Sequence, residues 1–373
     1  MAALPEIRFV RDRTVPPEAL GALWRRLERA GSASFFVSWT WIGTWLRCLP
    51  SHLHPEQFFV LKAGREIGAA ILVPGLVRRR GVLNIRQLHF NATGDPAFDC
   101  ITVEHNGFVG TDSSAGSIWP AFLRWFEREG NADELVIGGN IESVHDGIAT
   151  DIHLLQRSMS TRGFAQDLSP GGMEVILSGF SRNTRQLLRR NVRDWTQLGE
   201  LRIETAPSFE TALCWFGEMK KLHIEYWISR GRRHAFHHPF FEIFHHALIE
   251  TGMPNGSVRI RRISAGLHVL GYLYDFCHLG RVYAYQSGFD GVHPDLRPGY
   301  VSHLLAMEQD AREGMRVYDF LGGDNQLKRS LGRQTYALRD YRFSRRTAGL
   351  RLEAAASEAF AWLRLKRETE AQK

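Results

Sequence analysis

Two runs of alternating apolar and polar residues stand out along this chain. Phe58 to Pro74 (FFVLKAGREIGAAILVP) and Val258 to Phe276 (VRIRRISAGLHVLGYLYDF) each turn at an Ala-Gly pair and predict β-hairpins. Stretches of helical period follow, Ile118 to Glu129 and Val301 to Glu313, each ending at a glycine suited to a helix C-cap. A short apolar strand comes next in both places, Leu135-Val136-Ile137 and Val317 to Leu321, and runs into a double glycine. The spacing repeats: Arg128-Glu129-Gly130, seven residues and Gly138-Gly139-Asn140 return as Arg312-Glu313-Gly314, seven residues and Gly322-Gly323-Asp324, at an offset of 184. Such self-similarity, with the hairpins in the same order, predicts a duplicated unit of hairpin, further strand, helix and strand.

Other helices surround this repeated core. An aromatic one is expected near Ser38 to Leu49, and another from Phe209 to Arg230, ending at Gly231. A basic helix near Ser181 to Gly199, with Ser181 as cap, places Arg182, Arg185, Arg189 and Arg193 largely on one side. That side suits either a solvated face or contact with a polyanion. The alanine-rich, charged tail from Leu350 reads as a peripheral helix that frays.

Length and composition fit this two-part picture. A chain of 373 residues exceeds what one core usually holds, and its 44% hydrophobic content supports two. The expected division is residues 1–168, 169–348 and a helical tail over 349–373. No signal peptide or apolar stretch of spanning length is found, so a cytoplasmic protein without a membrane span is expected. The four cysteines lie far apart without a CxxC pair, which argues for buried free thiols. The net charge of +7 would attract phosphate-bearing partners, yet only six of the 47 basic residues are lysines, as a composition bias would also produce.

Candidate chemistry concentrates in the second half. The segment Arg281 to Asp290 reads as a strand carrying Tyr283 and Tyr285 on one face, and Arg297-Pro298-Gly299-Tyr300-Val301 then opens a helix. A glycine at such a junction lets backbone N–H groups approach a phosphate, with Arg297 as a further donor. The matching junction of the first half, Thr111 to Gly116, has an acid and no base. Asp319 is an acid within a probable buried strand, where Leu135 stands in the first copy. It is expected either to pair with a structural partner such as Arg339 or Arg342 or to sit in the site. Lys328 and Asp324 follow the second double glycine, and His223, Glu225 and Trp227 are candidates to line an acceptor pocket. The histidines His234, His237, His238, His245 and His246 do not read as a metal site, because Pro239 interrupts the helix and no carboxylate completes a ligand set.

The segment Arg281 to Arg346, centred on PGYVSHLLAMEQDAREGMRVYDFLGGDNQLKRSLG, resembles the GNAT-like acetyltransferase family associated with cellulose biosynthesis, itself related to Fem-type peptidyltransferases. The run SGFSRNTRQLLRRNVRDWTQLG is similar too, so the resemblance spans roughly residues 170 to 346. It implies an α/β (α+β) protein of two tandem GNAT-like domains, each a mixed twisted sheet flanked by helices, the first degenerate. It further implies that acyl-CoA serves as cosubstrate, with no permanently bound cofactor, and that an amine is acylated. Pro298 to Val301 would then form the phosphate loop with Arg297, and Lys328 would match the family's lysine after the terminal strand. Leu327 replaces the aromatic usual before that lysine.

As a mechanism, N–H groups of the Tyr283 to Gly288 strand would polarise the carbonyl, Asp319 would accept the proton, and Lys328 or Tyr285 would assist the leaving group. His223, Trp227 and Asp324 would face the acceptor. Two other classes share the fold: a transferase that takes its acyl group from aminoacyl-tRNA, and a non-catalytic binding protein.

Overall fold

The computed structural model describes residues 7–79, 83–110, 115–141 and 154–350. The junction Thr111 to Ser114 and the tail beyond Leu350 lie outside them. Among the described residues the first half comprises β1 (Ile7–Asp12), α1 (Pro17–Arg29), α2 (Trp39–Cys48), β2 (Glu56–Lys62), β3 (Arg65–Arg79), β4 (Leu83–Phe90), β5 (Val109–Gly110), α3 (Ala115–Glu129), β6 (Glu134–Ile141) and β7 (Leu155–Asp167). Two helices, α4 (Met173–Ser178) and α5 (Arg182–Leu198), link it to the second. That half runs through β8 (Leu201–Thr205), α6 (Phe209–Ile228), α7 (Pro239–Gly252), β9 (Val258–Ala265), β10 (His268–His278), β11 (Arg281–Phe289), α8 (Pro298–Arg312), β12 (Val317–Gly322), α9 (Gln326–Leu331) and β13 (Arg333–Ser344).

Both expected hairpins form, the second turning at Gly266 and Leu267, one residue beyond the expected Ala265-Gly266, because Ala265 still pairs with His268. The first turns at Ala63 and Gly64, each with positive φ (51° and 75°), as a two-residue turn between right-twisted strands requires. Ser181 caps α5 by accepting the Thr184 N–H, Ser38 caps α2 and Ser208 caps α6. Pro298 starts α8 three residues before the expected Val301, where its fixed φ is preorganised and its missing N–H has no intrahelical role.

All the strands but β5 lie along one continuous sheet in the order β1-β2-β3-β4-β6-β13-β7-β12-β11-β10-β9-β8, with β5 attached to β3. Pairing is antiparallel except between β4 and β6 and between β11 and β12. The duplication therefore appears in three dimensions, with one exchange at the centre. β7, the closing strand of the first half, pairs with β12 of the second, while β13 pairs with β6 of the first. β7 and β13 also pair with each other from Leu155–Ser344 to Ala165–Arg333.

Three apolar clusters hold the helices to this sheet. On one face α1, α2, α6 and α7 share a single aromatic core across both halves, in which Phe35 stacks on Phe276 (ring centroids 4.4 Å apart) and Trp41 meets Phe244 (4.8 Å). The opposite face is divided. Phe122 and Phe126 of α3 cover the first half, and Leu188 of α5 with Val301 and Leu304 of α8 cover the second.

Each parallel pair then splays. β4 and β6 keep register from Gln87–Glu134 to Phe90–Ile137, and β11 and β12 only from Arg281–Val317 to Tyr283–Asp319. Beyond these points two gaps open in the sheet, one in each half.

Candidate active site

Asp319 stands where β12 leaves β11. It is fully buried, and its Oδ2 accepts from Arg281 Nη1 (2.9 Å) and lies 3.3 Å from His105 Nε2. Its Oδ1 accepts from the Tyr336 hydroxyl (2.6 Å) and the Leu321 N–H (2.8 Å). Burial alone would raise its pKa, but His105, Tyr336 and Arg281 outweigh it and hold the carboxyl below the usual range. The expected pairing with Arg339 or Arg342 does not form. Both arginines lie on β13 where it pairs with β6, and Arg281, one strand away on β11, takes that role.

Leu321 has φ of +63°, a conformation a branched side chain adopts only under constraint. Asp319 holds its N–H, and Lys328 Nζ binds the carbonyl oxygens of Leu321 (3.4 Å) and Gly322. Asp319 and Lys328 are thus brought together through the backbone they both grip. The Gly322 N–H donates to Glu104 Oε2 (2.6 Å), a carboxylate from the first half. Burial raises the Glu104 pKa against the opposing Gly322 N–H and Lys328, and burial lowers that of Lys328.

Glu104 also borders a cleft of about 740 Å³. Its floor is the sheet face of β3, β4, β6 and β13, its wall is the loop from Asn91 to Asn106, and one end reaches Gly322 and Gly323. In mid-floor His89 is pushed down to about 4, by burial and then by the nearby Arg342, so its imidazole is neutral near pH 7. Gly94 (φ +79°) closes over it, leaving no room for a side chain: a Cβ there would come within 2.2 Å of the ring.

The two gaps in the sheet differ. In the first half Asn106 laces β4 to β6, its Nδ2 donating to the carbonyls of Phe90 (3.1 Å) and Gly138 (3.0 Å), while Asn91 and Asn140 hold Asn106 in place. In the second half the gap between β11 and β12 is lined by the rings of Phe289, His303 and Phe320. Among the described residues, no strand pairs with the β12-facing edge of β11 past Tyr283.

The remaining expected site residues do not line the cleft. Tyr285 points its hydroxyl at the Ile101 carbonyl, and burial raises its pKa well above normal. Arg297 is exposed in a left-handed conformation, whereas Pro298, Gly299, Tyr300 and Val301 are buried, with Phe289 and Leu327 packed on Gly299. His223 on α6 donates Nδ1–H to the Ser287 carbonyl (3.0 Å), which leaves Nε2 as its acceptor, and Trp227 packs half-buried beside it. Asp324 is bound by Arg162 (3.1 Å) and Arg329.

Glu104, His105, Arg281 and Tyr336 were not singled out from the sequence. Glu104 and His105 occupy an irregular loop of the half with the weaker signals, and only the fold carries them to β12.

Comparisons with known proteins agree with this architecture. Residues 182–329 match the model of the acetyltransferase (GNAT) domain. The crystal structure of FemX superposes with a TM-score of 0.54 at 12% identity, covering 90% of this chain and 96% of that one. A conserved protein of unknown function from Bacteroides thetaiotaomicron gives 0.51 at 9% identity over 91% and 100% of the two chains. The C-terminal domain of a protein described as a lysylphosphatidylglycerol synthetase from Agrobacterium fabrum gives 0.50 at 12% over 91% and 96%. At these identities the likeness is one of fold. No curated protein matches the chain. Residues 182–329 of this protein are thus similar to the GNAT acetyltransferase domain, and its described residues form a GNAT-like mixed α/β fold, a twisted and mostly antiparallel sheet flanked by helices.

Proposed function

We propose that this protein transfers an acyl group to an amine of a small-molecule or cell-envelope or polysaccharide precursor, at the seam between its halves. The observation that carries this reading is Glu104, a first-half carboxylate at the end of the cleft, bonded to Gly322 and adjacent to Lys328. The acceptor lies in the cleft, and the donor, an acyl-CoA, enters the gap beyond Tyr283. There it pairs with the free edge of β11 as an added strand.

The amine must reach the carbonyl neutral. Glu104 takes its proton, a task for which a raised carboxyl pKa is better matched than a depressed one. The amine nitrogen then bonds to the acyl carbon, the oxyanion is stabilised by N–H groups of β11, the carbon–sulfur bond breaks, and the second proton on nitrogen passes to water to leave the neutral amide. Lys328, whose pKa is lowered, gives its proton to the departing thiolate. Asp319, saturated by its partners, positions Leu321 and Gly322. Acyl-CoA being a cytoplasmic metabolite, the reaction belongs in that compartment. None of the described helices is long and apolar enough to cross a membrane.

A second donor is favoured by one observation. Phe289 and Leu327 pack on Gly299 where a pyrophosphate would approach, a feature that suits an aminoacyl-tRNA donor held by the exposed Arg182, Arg190 and Arg193 of α5. Thermal-shift titration with acetyl-CoA, longer acyl-CoAs and tRNA at two salt concentrations separates the cases. Stabilisation by a thioester supports the first donor, salt-sensitive stabilisation by tRNA alone supports the second, and silence from all argues for a non-catalytic binding protein. In a turnover assay Glu104→Gln should lose about a hundredfold. Lys328→Ala and Asp319→Asn should each lose at least about tenfold, or ~1.4 kcal/mol. Unchanged turnover in Glu104→Gln overturns the assignment.

A further inference from the structure

Glu134 lies beneath the end of the cleft remote from Glu104, with only 1% of its side chain exposed. It accepts two bonds from Arg79 (2.8 and 2.6 Å), one from Gln87 (2.7 Å) and one from Ser344 (3.0 Å). One guanidinium, bidentate on this carboxylate, neutralises it. Arg342 then stands as a surplus cation. It comes no nearer to Glu134 than 3.9 Å, is 40% exposed, and borders the cleft.

A second cation faces it. In the β7–β13 register Arg342 is directly opposite Arg157, so the two side chains rise from the same face of the sheet. Like charges in opposed positions repel, and that repulsion is relieved when an anion lies between them. Asp340, the acid two residues along the same face of β13, directs Oδ1 to the Gly139 N–H (2.7 Å).

We infer that Arg342 and Arg157 form an anion site at the far end of the acceptor cleft, and that the acceptor is an elongated molecule with its amine at one end and a carboxylate or phosphate at the other. This deepens the proposed acyl transfer and rests on it. The strand sets the length. Leu338 packs beside Gly322 at the amine end, and four residue steps along β13 lead from it to Arg342, roughly 13 Å at 3.3 Å each. An α-amino acid, with both charges on one carbon, is too short to reach Glu104 and Arg342 together.

The test compares octylamine, 8-aminooctanoate, 8-aminooctyl phosphate and β-alanine as acceptors in the full chain. Each is assayed by turnover with the donor identified above and by thermal shift without donor. The expected result is a KM about tenfold lower for the long anionic amines than for octylamine or β-alanine. Arg342→Gln and Arg157→Gln should erase that preference through KM rather than kcat, with Arg342→Lys restoring part of it. Whichever of carboxylate and phosphate shows the lower KM identifies the anion. Equal KM values for octylamine and both anionic amines, or a preference that survives in the Arg342→Gln, Arg157→Gln double variant, overturn the inference while leaving acyl transfer intact. If no amine is acylated but 8-aminooctanoate stabilises the wild type and not Arg342→Gln, the anion site stands and the transfer reaction falls.

Discussion

At the scale of single residues, Glu104, Lys328 and His303 illustrate how burial sets ionisation. Glu104 gains its proton more easily than a solvated carboxyl, and Lys328 loses its own more easily than a solvated amine. If Glu104 must be ionised and Lys328 protonated, kcat/KM rises through an acid limb above the usual carboxylate range and falls through an alkaline limb below the usual lysine range. Glu104→Gln should remove the acid limb and leave the alkaline one, as a pH profile of kcat/KM checks.

His303 concerns stability. Buried against Phe289 and Phe320 and bonded through Nδ1 to the Tyr318 hydroxyl (2.8 Å), it is pushed down to about 3, chiefly by burial. The unfolded chain binds a proton there below about pH 6.5 while the folded one does not, so stability is full above that pH and declines as pH falls toward 3. Denaturant midpoints measured from pH 7 to pH 4 should fall in the wild type and fall less steeply in His303→Asn, whose starting stability is lower because it leaves Tyr318 without its partner.

At the scale of elements, the close approach of β7 and β13 controls the site. Gly163 of β7 lies under the Tyr336 ring, and a Cβ there would come within 2.0 Å of it. Gly163→Ala therefore either shifts the strand or swings Tyr336 away from Asp319. We expect a loss of about 1–3 kcal/mol in stability, together with reduced turnover, measured by melting and by acyl transfer on one preparation.

The loops after β4 and β11 make the corresponding contrast between halves. The first half uses residues 91–108 to seal its gap and to carry Glu104 across to β12, whereas the second connects β11 to α8 in residues 290–297. Hairpins, caps and helix spans were legible because each depends on neighbours in sequence: Ala63-Gly64, Ser181 and Pro298 act within a few residues of themselves. Glu104 was not, because its partner is 218 residues away.

At the scale of the molecule, the exchange of β7 and β13 makes each half incomplete alone. Without β7, β12 loses its antiparallel neighbour and β13 one of its two partners. The shared aromatic core of α1, α2, α6 and α7 would also be cut through. Residues 1–168 and 169–373 expressed separately should aggregate or remain unfolded, and coexpressed they should form a 1:1 complex. Chromatography and circular dichroism check this, and two independently soluble, folded fragments would refute it. The intact chain should unfold in one cooperative transition.

The sequence by itself determined the local vocabulary and its repetition: the paired hairpins, the helix ends, the double glycines and the Asp319–Lys328 neighbourhood, all encoded by periodicity, turn chemistry and short spacing. It also carried the likeness to GNAT acetyltransferase domains, the part of the resemblance that the match over residues 182–329 supports. Only the tertiary structure decided that both halves share one sheet, that the first gap is sealed by Asn106, and that Arg281, Tyr336, His105 and Glu104 converge on β12. The physical reason is that strand exchange and ion pairing across about two hundred residues depend on which surfaces meet after collapse, and no local pattern of polarity records that choice.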